Sequence, residues 1–205
     1  MPTQTFLNLS EEKRQRIFNA IHTELRRVPF PEMSINRIIK TAEIPRGSFY
    51  QYFENKDDAF VFFITESSRK AKECIIERVS SMHGDIFEMA ENIFEEMAKE
   101  GVKQYKVELI RNVMPYVDIK KLDPFSNYIA NMDSEKKLKI CSSLGIGTLN
   151  IKSEEELTDI LGIIEALFQN SMPQILFESE DADVIIARFK RRLNIIKKAT
   201  VKEVI

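Results

Sequence analysis

Six glycines and seven prolines are all that punctuate 205 residues, and this scarcity of turn-formers constrains the fold more than any other feature. A chain of many short strands needs breakers at intervals of ~8–12 residues. Long stretches with apolar residues at i, i+3, i+4 and i+7 read instead as helices that bury one stripe. An all-α protein is the expectation. With 43% apolar and 30% charged residues, the chain falls among ordered globular proteins. Its longest wholly apolar run, AFVFFI at 59–64, is far below the roughly 18 residues that suggest a membrane span. No membrane partner is expected. The N-terminus, MPTQTFLNLSEE, lacks a basic region followed by an apolar stretch. Cys74 and Cys141 form no CxxC pair, as suits reduced thiols. A cytoplasmic location follows as the default.

Periodicity divides the first part of the chain into four helices. Ser10 can cap the first, with Glu11 and Glu12 in its opening turn and Ile17, Ala20, Ile21 and Leu25 as its inner stripe. VPFPE at 28–32 ends it. Ser34 is expected to cap a short second helix whose Ile35, Ile38, Ile39 and Ala42 share a face. After a tight turn at Glu43 and Ile44, Pro45 fits the first position of a third helix running to about Tyr52. Asn55 caps a fourth, predicted to continue to about Ser81. The second and third helices have the spacing of a helix-turn-helix, in which the later helix enters the DNA major groove.

Within the third helix, IPRGSFYQYF at 44–53 carries four aromatic residues after an Arg-Gly-Ser triplet. Phe49 and Phe53 lie four apart and share a face, which assigns them to the core. Tyr50 and Tyr52 then project from other sides and are read as available. Charge is distributed to match. Residues 1–56 hold nine Lys or Arg against six Glu, a net of +3, while the formal total of −2 leaves −5 for the remainder. Only the N-terminal end is suited to approach a polyanion.

The stretch SINRIIKTAEIPRGSFYQYFENKDDAF, residues 34–60, closely resembles the signature of the TetR family of bacterial transcriptional regulators. Ten residues stand at the family's spacing: Ser34, Arg46, Gly47, Ser48, Phe49, Tyr50, Gln51, Tyr52, Phe53 and Lys56. The resemblance implies a helix-turn-helix DNA-binding domain at 11–71, with its motif at 34–53, and a helical effector-binding and dimerisation domain at 72–205. It implies DNA contacts from Ser34, Arg46, Gly47, Ser48, Tyr50, Gln51, Tyr52 and Lys56. Chemically, Arg46 can fork onto a guanine edge or clamp a phosphate, and Lys56 suits a phosphate. Tyr50 offers a flat apolar face plus a hydroxyl; Gln51 can pair with adenine or a phosphate. Gly47 leaves room for close backbone approach. Tyr52 and the Ser34 end of the second helix are implied phosphate anchors. Three residues depart from the pattern: Glu43 where the family often has Gly, Ile44-Pro45 in place of a hydroxyl residue, and Glu54 beside the contacts. If they abolish DNA reading, the alternative is a helix-turn-helix-derived protein adaptor.

Further helices are expected at 84–100, 102–114, 122–133, 154–177 and 181–200, with breaks or kinks at Pro115, Pro124 and Pro173 and a loop at 142–153. Leu157, Ile160, Leu161, Ile163, Ile164, Leu167 and Phe168 cover too wide an arc for a single stripe, and Val184, Ile185, Ile186, Phe189, Leu193 and Ile195 behave similarly. The arc alone leaves open whether the body's own core or a second copy supplies the extra cover; the resemblance implies a second copy, a homodimer through these last two helices that meets a palindromic double-stranded operator. Phe87, Phe94, Met97, Tyr105, Met114, Phe125, Tyr128, Phe168 and Met172 are candidate lining for a small hydrophobic effector, since flexible Met and aromatic side chains adapt to apolar ligands. His22 and His83 lack ligand-spaced neighbours, and no nucleophile, base or metal constellation points to an enzyme. No cofactor or metal is expected. The functional expectation is a ligand-responsive transcriptional repressor.

Overall fold

In the computed structural model the described residues are 2–81, 85–101, 104–118, 125–133, 135, 140, 149–151, 153–177 and 181–201. Every named element among them is helical: α1 (Gln4–Leu7), α2 (Glu11–Arg27), α3 (Ile35–Ala42), α4 (Arg46–Tyr52), α5 (Lys56–Ser81), α6 (Ile86–Gly101), α7 (Gln104–Val113), α8 (Phe125–Ala130), α9 (Glu154–Phe177) and α10 (Ala182–Thr200). The chain forms two compact units, Met1–Lys70 with Gln104–Ile119, and Ala71–Lys103 with Lys120–Ile205.

In the first unit the local signals act largely as the sequence predicts. Ser10 Oγ accepts from the Lys13 N–H at 3.4 Å and starts α2, whose Ile17, Ala20, Ile21 and Leu25 are buried. Ile38 and Ala42 of α3 are buried, while Ile35 and Ile39 pack at the margin of the same core. Asn55 Oδ1 accepts from the Asp58 N–H at 3.0 Å, and Asp58 Oδ2 accepts from the Glu54 N–H at 3.3 Å, so the start of α5 is capped from both sides. Pro45 is displaced by one position from its expected place. It flanks α4 in an extended conformation (ψ 145°) and its carbonyl accepts from the Ser48 N–H at 3.0 Å, so the helix proper begins at Arg46.

The turn between α3 and α4 is closed by backbone bonds of a left-handed helix end. Ile44 N–H reaches Ile39 O at 3.1 Å and Glu43 N–H reaches Lys40 O at 3.3 Å, with Glu43 itself at φ 53°, ψ 47°. These are the bonds of a Schellman motif, which normally places glycine at the left-handed residue. A side chain there costs about 1–2 kcal/mol. Ile44, buried at 5% exposure, offsets part of this by packing into the core beside Ile39.

A buried carboxylate fixes the opposite end of α3. Glu24, 4% exposed, accepts from the Ser34 N–H at 3.0 Å and holds both Arg27 Nε and Nη2, at 3.0 and 2.7 Å. Burial pushes its carboxyl up, but the Arg27 bond, the Ser34 N–H and the charges of Arg27 and Arg37 together hold it below its ordinary 4.5.

Two features of this unit lie outside the sequence expectations. The short helix α1 brings Phe6 into the core at 1% exposure. The second is the segment Gln104–Ile119, expected in the C-terminal domain, which belongs to the first unit. Leu109, Val113 and Val117 join its core. Asn112 Nδ2 donates to Leu25 O and Arg26 O at 2.9 and 3.3 Å, satisfying carbonyls at the end of α2. Phe30 stacks on Phe60 at 4.0 Å and meets the edge of Tyr116 at 5.8 Å. After α7 a single 3-10 turn, Met114–Tyr116, holds Pro115, the break the sequence predicts.

The second unit packs α6, α8, α9 and α10 around Phe94, Phe168 and Phe189. Phe94 and Phe189 stack at 3.9 Å, and Phe168 lies edge-on to both. Lys190 pairs with Glu95 at 2.5 Å and Lys197 pairs with Asp85, tying α10 to α6 and its leading residue. Lys190 and Lys99 hold the Glu95 carboxyl down from 4.5 to about 2. Pro173 does not end α9, which continues to Phe177. Leu149 forms an antiparallel bridge with Val201, and Asn150 N–H donates to Thr200 O at 2.7 Å, where the sequence gives only a loop. The expected break at Pro124 and the span 142–148 lie outside the described residues, as do His83 and Cys141.

Urea unfolding checks the two residues that fix the ends of α3. Glu43→Gly is expected to stabilise by about 0.5–1 kcal/mol, the relief of left-handed strain less the entropy glycine loses on folding. Glu24→Gln is expected to destabilise by about 1–3 kcal/mol, because Arg27 and the Ser34 N–H lose a charged acceptor. Since Glu24 is held below 4.5 in the folded state, its contribution is complete above that pH and disappears as pH falls through the lowered value. The acid limb of the stability curve should therefore be shallower in Glu24→Gln than in the wild type.

Candidate nucleic-acid interface

The two faces of α4 differ sharply. Phe49, Tyr52 and Phe53 point inward, at 0%, 3% and 0% exposure. Arg46, Gly47, Tyr50 and Gln51, at i, i+1, i+4 and i+5, line the exposed face, with Ser48 half-buried at its margin. Tyr50 is 49% exposed. Its ring meets Phe49 edge-on at 5.5 Å, which limits its swing.

Tyr52 corrects the sequence reading. Expected among the available tyrosines, it belongs instead to the inner face. Three residues from Phe49, it is turned by only about 60° around a helix of 3.6 residues per turn. Phe6 covers it edge-on at 5.9 Å and Lys13 Nζ lies 5.7 Å from its ring centroid. The cover comes from α1, whose four residues are too few to show a periodic pattern.

Gly47 has an environment that decides its meaning. Apart from its chain neighbours and the backbone of its own helix, a Cβ built there would meet no atom within 4 Å, and its φ is not in the left-handed range. The fold therefore has no use for a glycine here, although in mid-helix it costs about 0.5–1 kcal/mol relative to Ala. Its small size can matter only to something outside the chain.

Ser34 stands at the start of α3 but does not make the expected cap: its hydroxyl forms no cap bond, and the start of the helix is held instead through its own N–H, bonded to Glu24. Lys56 opens α5. Its ammonium donates to Pro31 O at 2.7 Å and sits 5.4 Å from the Phe30 ring centroid, anchored on the segment that leads into Ser34. Ser34, Arg46, Gly47, Ser48, Tyr50, Gln51 and Lys56 thus occupy α3, α4 and the start of α5 within one unit. Thr3 and Phe6, which grip α4 from behind, carry no sequence signal that could have found them.

The candidate effector residues do not gather in one place. Phe87 and Phe94 are sealed in the second core at 1% and 0% exposure, with Phe168 and Met172 packed against it. Met97 is exposed, and Tyr128 lies under Lys72 Nζ at 5.4 Å. Met114 belongs to the first unit, as does Tyr105; the side chains of Tyr105 and Phe125 lie outside the described residues. Among the described residues, a crevice of about 310 Å³ lies between α1, α2 and α5, lined by Phe6, Phe18 and Phe62 with Arg14, Glu66 and Arg69. None of the candidate effector residues lines it. Among the described residues, no helix is long and apolar enough to cross a membrane.

Residues 17–61 match the family described as bacterial regulatory proteins, tetR family, and residues 85–198 match the tetracyclin repressor-like C-terminal domain. No curated protein matches the chain. Among solved structures, a TetR-family regulator from Pectobacterium atrosepticum is similar over 98% of both chains at 13% identity, with a TM-score of 0.63. A TetR-family regulator from Mesorhizobium loti is similar over 93% of this chain and 98% of its own, at 12% identity and a TM-score of 0.58. The TetR family repressor AlkX from a Dietzia species, implicated in biodegradation of n-alkanes, covers 91% of this chain and 98% of its own, at 16% identity and a TM-score of 0.57. At such identities the likeness establishes the fold, and the C-terminal match, spanning more than half of the sequence, establishes the lineage: the chain belongs to the TetR family of bacterial transcriptional regulators.

Proposed function

We propose that the protein is a ligand-responsive repressor that binds a palindromic operator as a homodimer. The observation that carries this reading is the division of α4. Three aromatic side chains anchor one face, and the other presents Arg46, Tyr50 and Gln51 around a glycine that the fold does not require. Base edges are read by Arg46, Tyr50 and Gln51 in the major groove, with Gly47 allowing close approach and Ser48, Lys56 and the Ser34 end of α3 holding phosphates. Lys56 already lies against the loop before α3, so it needs only to exchange the Pro31 carbonyl for a phosphate oxygen.

Exposed apolar side chains on the last two helices support the dimer. Ile163 and Phe177 of α9 are 48% and 47% exposed, fourteen residues apart; Val184 and Ile195 of α10 are 48% and 65% exposed, eleven apart. These separations are close to whole numbers of turns. Each helix therefore keeps two exposed apolar side chains on one face besides the stripe it buries, with Asn170 of α9 and Arg191 of α10 between them, and a symmetric second copy is the cover proposed for that face. A small apolar effector acts by favouring one spacing of the paired DNA-reading units, since equal affinity for both spacings would shift nothing.

Anisotropy with a palindromic duplex selected from a random-sequence pool tests the DNA reading. Tyr50→Ala and Lys56→Ala should each weaken binding by about 1–3 kcal/mol without loss of fold, with Lys56→Ala alone reducing the salt dependence. Gly47→Ala should raise stability by about 0.5–1 kcal/mol and weaken duplex binding, two opposite shifts in one variant. Unchanged affinity in all three, or binding without salt dependence, would favour the adaptor reading. Sedimentation tests the interface: Ile195→Asp should convert the dimer to monomer at micromolar concentration, and a wild type that already sediments as a monomer would exclude it. For the effector, a thermal-shift screen of apolar small molecules should yield a stabilising compound that also alters duplex affinity; no such compound would count against ligand control.

A further inference from the structure

Thr3 meets the far end of α4 with both backbone and side chain. Its N–H donates to Tyr52 O at 3.0 Å and its hydroxyl donates to Gln51 O at 2.5 Å. The same hydroxyl oxygen accepts from the Phe6 N–H at 3.4 Å and caps α1. A helix leaves its last four carbonyls without partners of its own. In α4, Phe49 O receives the Phe53 N–H at 2.9 Å, and Thr3 supplies donors to the final two.

Phe6 completes the grip. Its ring contacts those of Tyr52, Phe53 and Phe62 at centroid separations of 5.9, 5.0 and 4.7 Å. The other end of the segment is fastened to α2: Arg14 Nη1 donates to Leu7 O at 3.0 Å while Nη2 pairs with Glu11. At the opposite end of α4, Pro45 supplies no side-chain cap. The hydrogen-bonded termination of this helix is thus provided largely by Thr3.

We propose that Thr3–Leu7 is a positioning strap for the recognition helix, with Thr3 and Phe6 as positioning residues that fix the pitch of Tyr50 and Gln51. The inference rests on the DNA reading assigned to α4. Freed from Thr3, the last turn of a seven-residue helix frays, and Gln51 moves with its own carbonyl. Contacts to base edges require fixed geometry, whereas phosphate contacts tolerate displacement. Loss of the strap should therefore erode discrimination between sequences more than general affinity for DNA.

Thr3→Val removes the hydroxyl and keeps the shape; Thr3→Ser restores the hydroxyl. Full-length wild type, Thr3→Val and Thr3→Ser are compared on the selected palindromic duplex and on a scrambled duplex of the same length, with thermal melting and amide exchange at Phe53 measured without DNA. The expected result for Thr3→Val is a loss of about five- to tenfold on the selected duplex, no change on the scrambled one, faster exchange at Phe53 and a melting temperature within a few degrees of wild type. Thr3→Ser should recover binding and protection together. Equal affinity of wild type and Thr3→Val for the selected duplex would overturn the proposal. So would an equal loss on both duplexes, which would make Thr3 a direct phosphate contact. A wild type that selects no duplex would bring down the DNA-reading assignment itself, and the exchange data would then show separately whether Thr3 holds the helix end.

Discussion

A seven-residue helix cannot hold its own shape in water, because the nucleation cost is not recovered over two turns. Everything α4 offers to a partner therefore depends on the aromatic grip on its inner face. Phe6 contacts Tyr52, Phe53 and Phe62, and Phe62 also contacts Phe53, with ring centroids 4.7–5.9 Å apart; Phe49 joins the cluster through Phe53 at 5.4 Å. Large aromatic side chains are well suited to such a grip, because each buries much apolar area while losing few rotatable bonds. The helix is short enough to fit a groove and is kept rigid by residues from α1 and α5, which lie on either side of it in sequence.

The same economy appears at other helix ends, where donors and acceptors arrive from distant parts of the chain. Asn112 reaches across 87 residues to the Leu25 carbonyl, and Glu24 reaches Ser34 to fix the start of α3. Unpaired backbone groups at helix ends are costly when water is excluded. A small unit with many helix termini therefore recruits side chains to satisfy them. This explains why Gln104–Ile119 joins the first unit although α6 separates it from α5 in sequence. It supplies Leu109, Val113 and Val117 to the core and a capping amide to α2.

Features that announce themselves within a few residues are legible in the sequence. The Ser10 and Asn55 caps, the apolar stripes of α2 and α3 and the inward Phe49 and Phe53 all follow from local spacing or local chemistry. The motif at 34–56 places the candidate interface. Features decided by a remote partner are not legible. Tyr52 stands three residues from Phe49, a spacing that already turns it toward the inner face, but nothing near it in sequence shows that Phe6 covers it. The strap itself has no periodicity to detect, and the membership of α7 is settled by contacts with α2. Pro173, expected to break or kink the helix predicted at 154–177, does not shorten it: α9 keeps that whole span, because packing across many turns outweighs one missing hydrogen bond.

The placement of glycine in the helix-turn-helix separates what the fold requires from what it does not. At Glu43 the backbone is left-handed, the one position between Ser34 and Phe53 where glycine would relieve strain, and the chain carries glutamate there. At Gly47 the backbone is helical, where alanine would be more stable by about 0.5–1 kcal/mol, and beyond its chain neighbours and its own helix backbone nothing lies within 4 Å of the missing Cβ. A sequence arranged for stability alone would exchange the two. The arrangement makes sense if the exposed face of α4 must let another surface come close to its backbone, a demand that originates outside the molecule and falls on the face that carries Arg46, Tyr50 and Gln51.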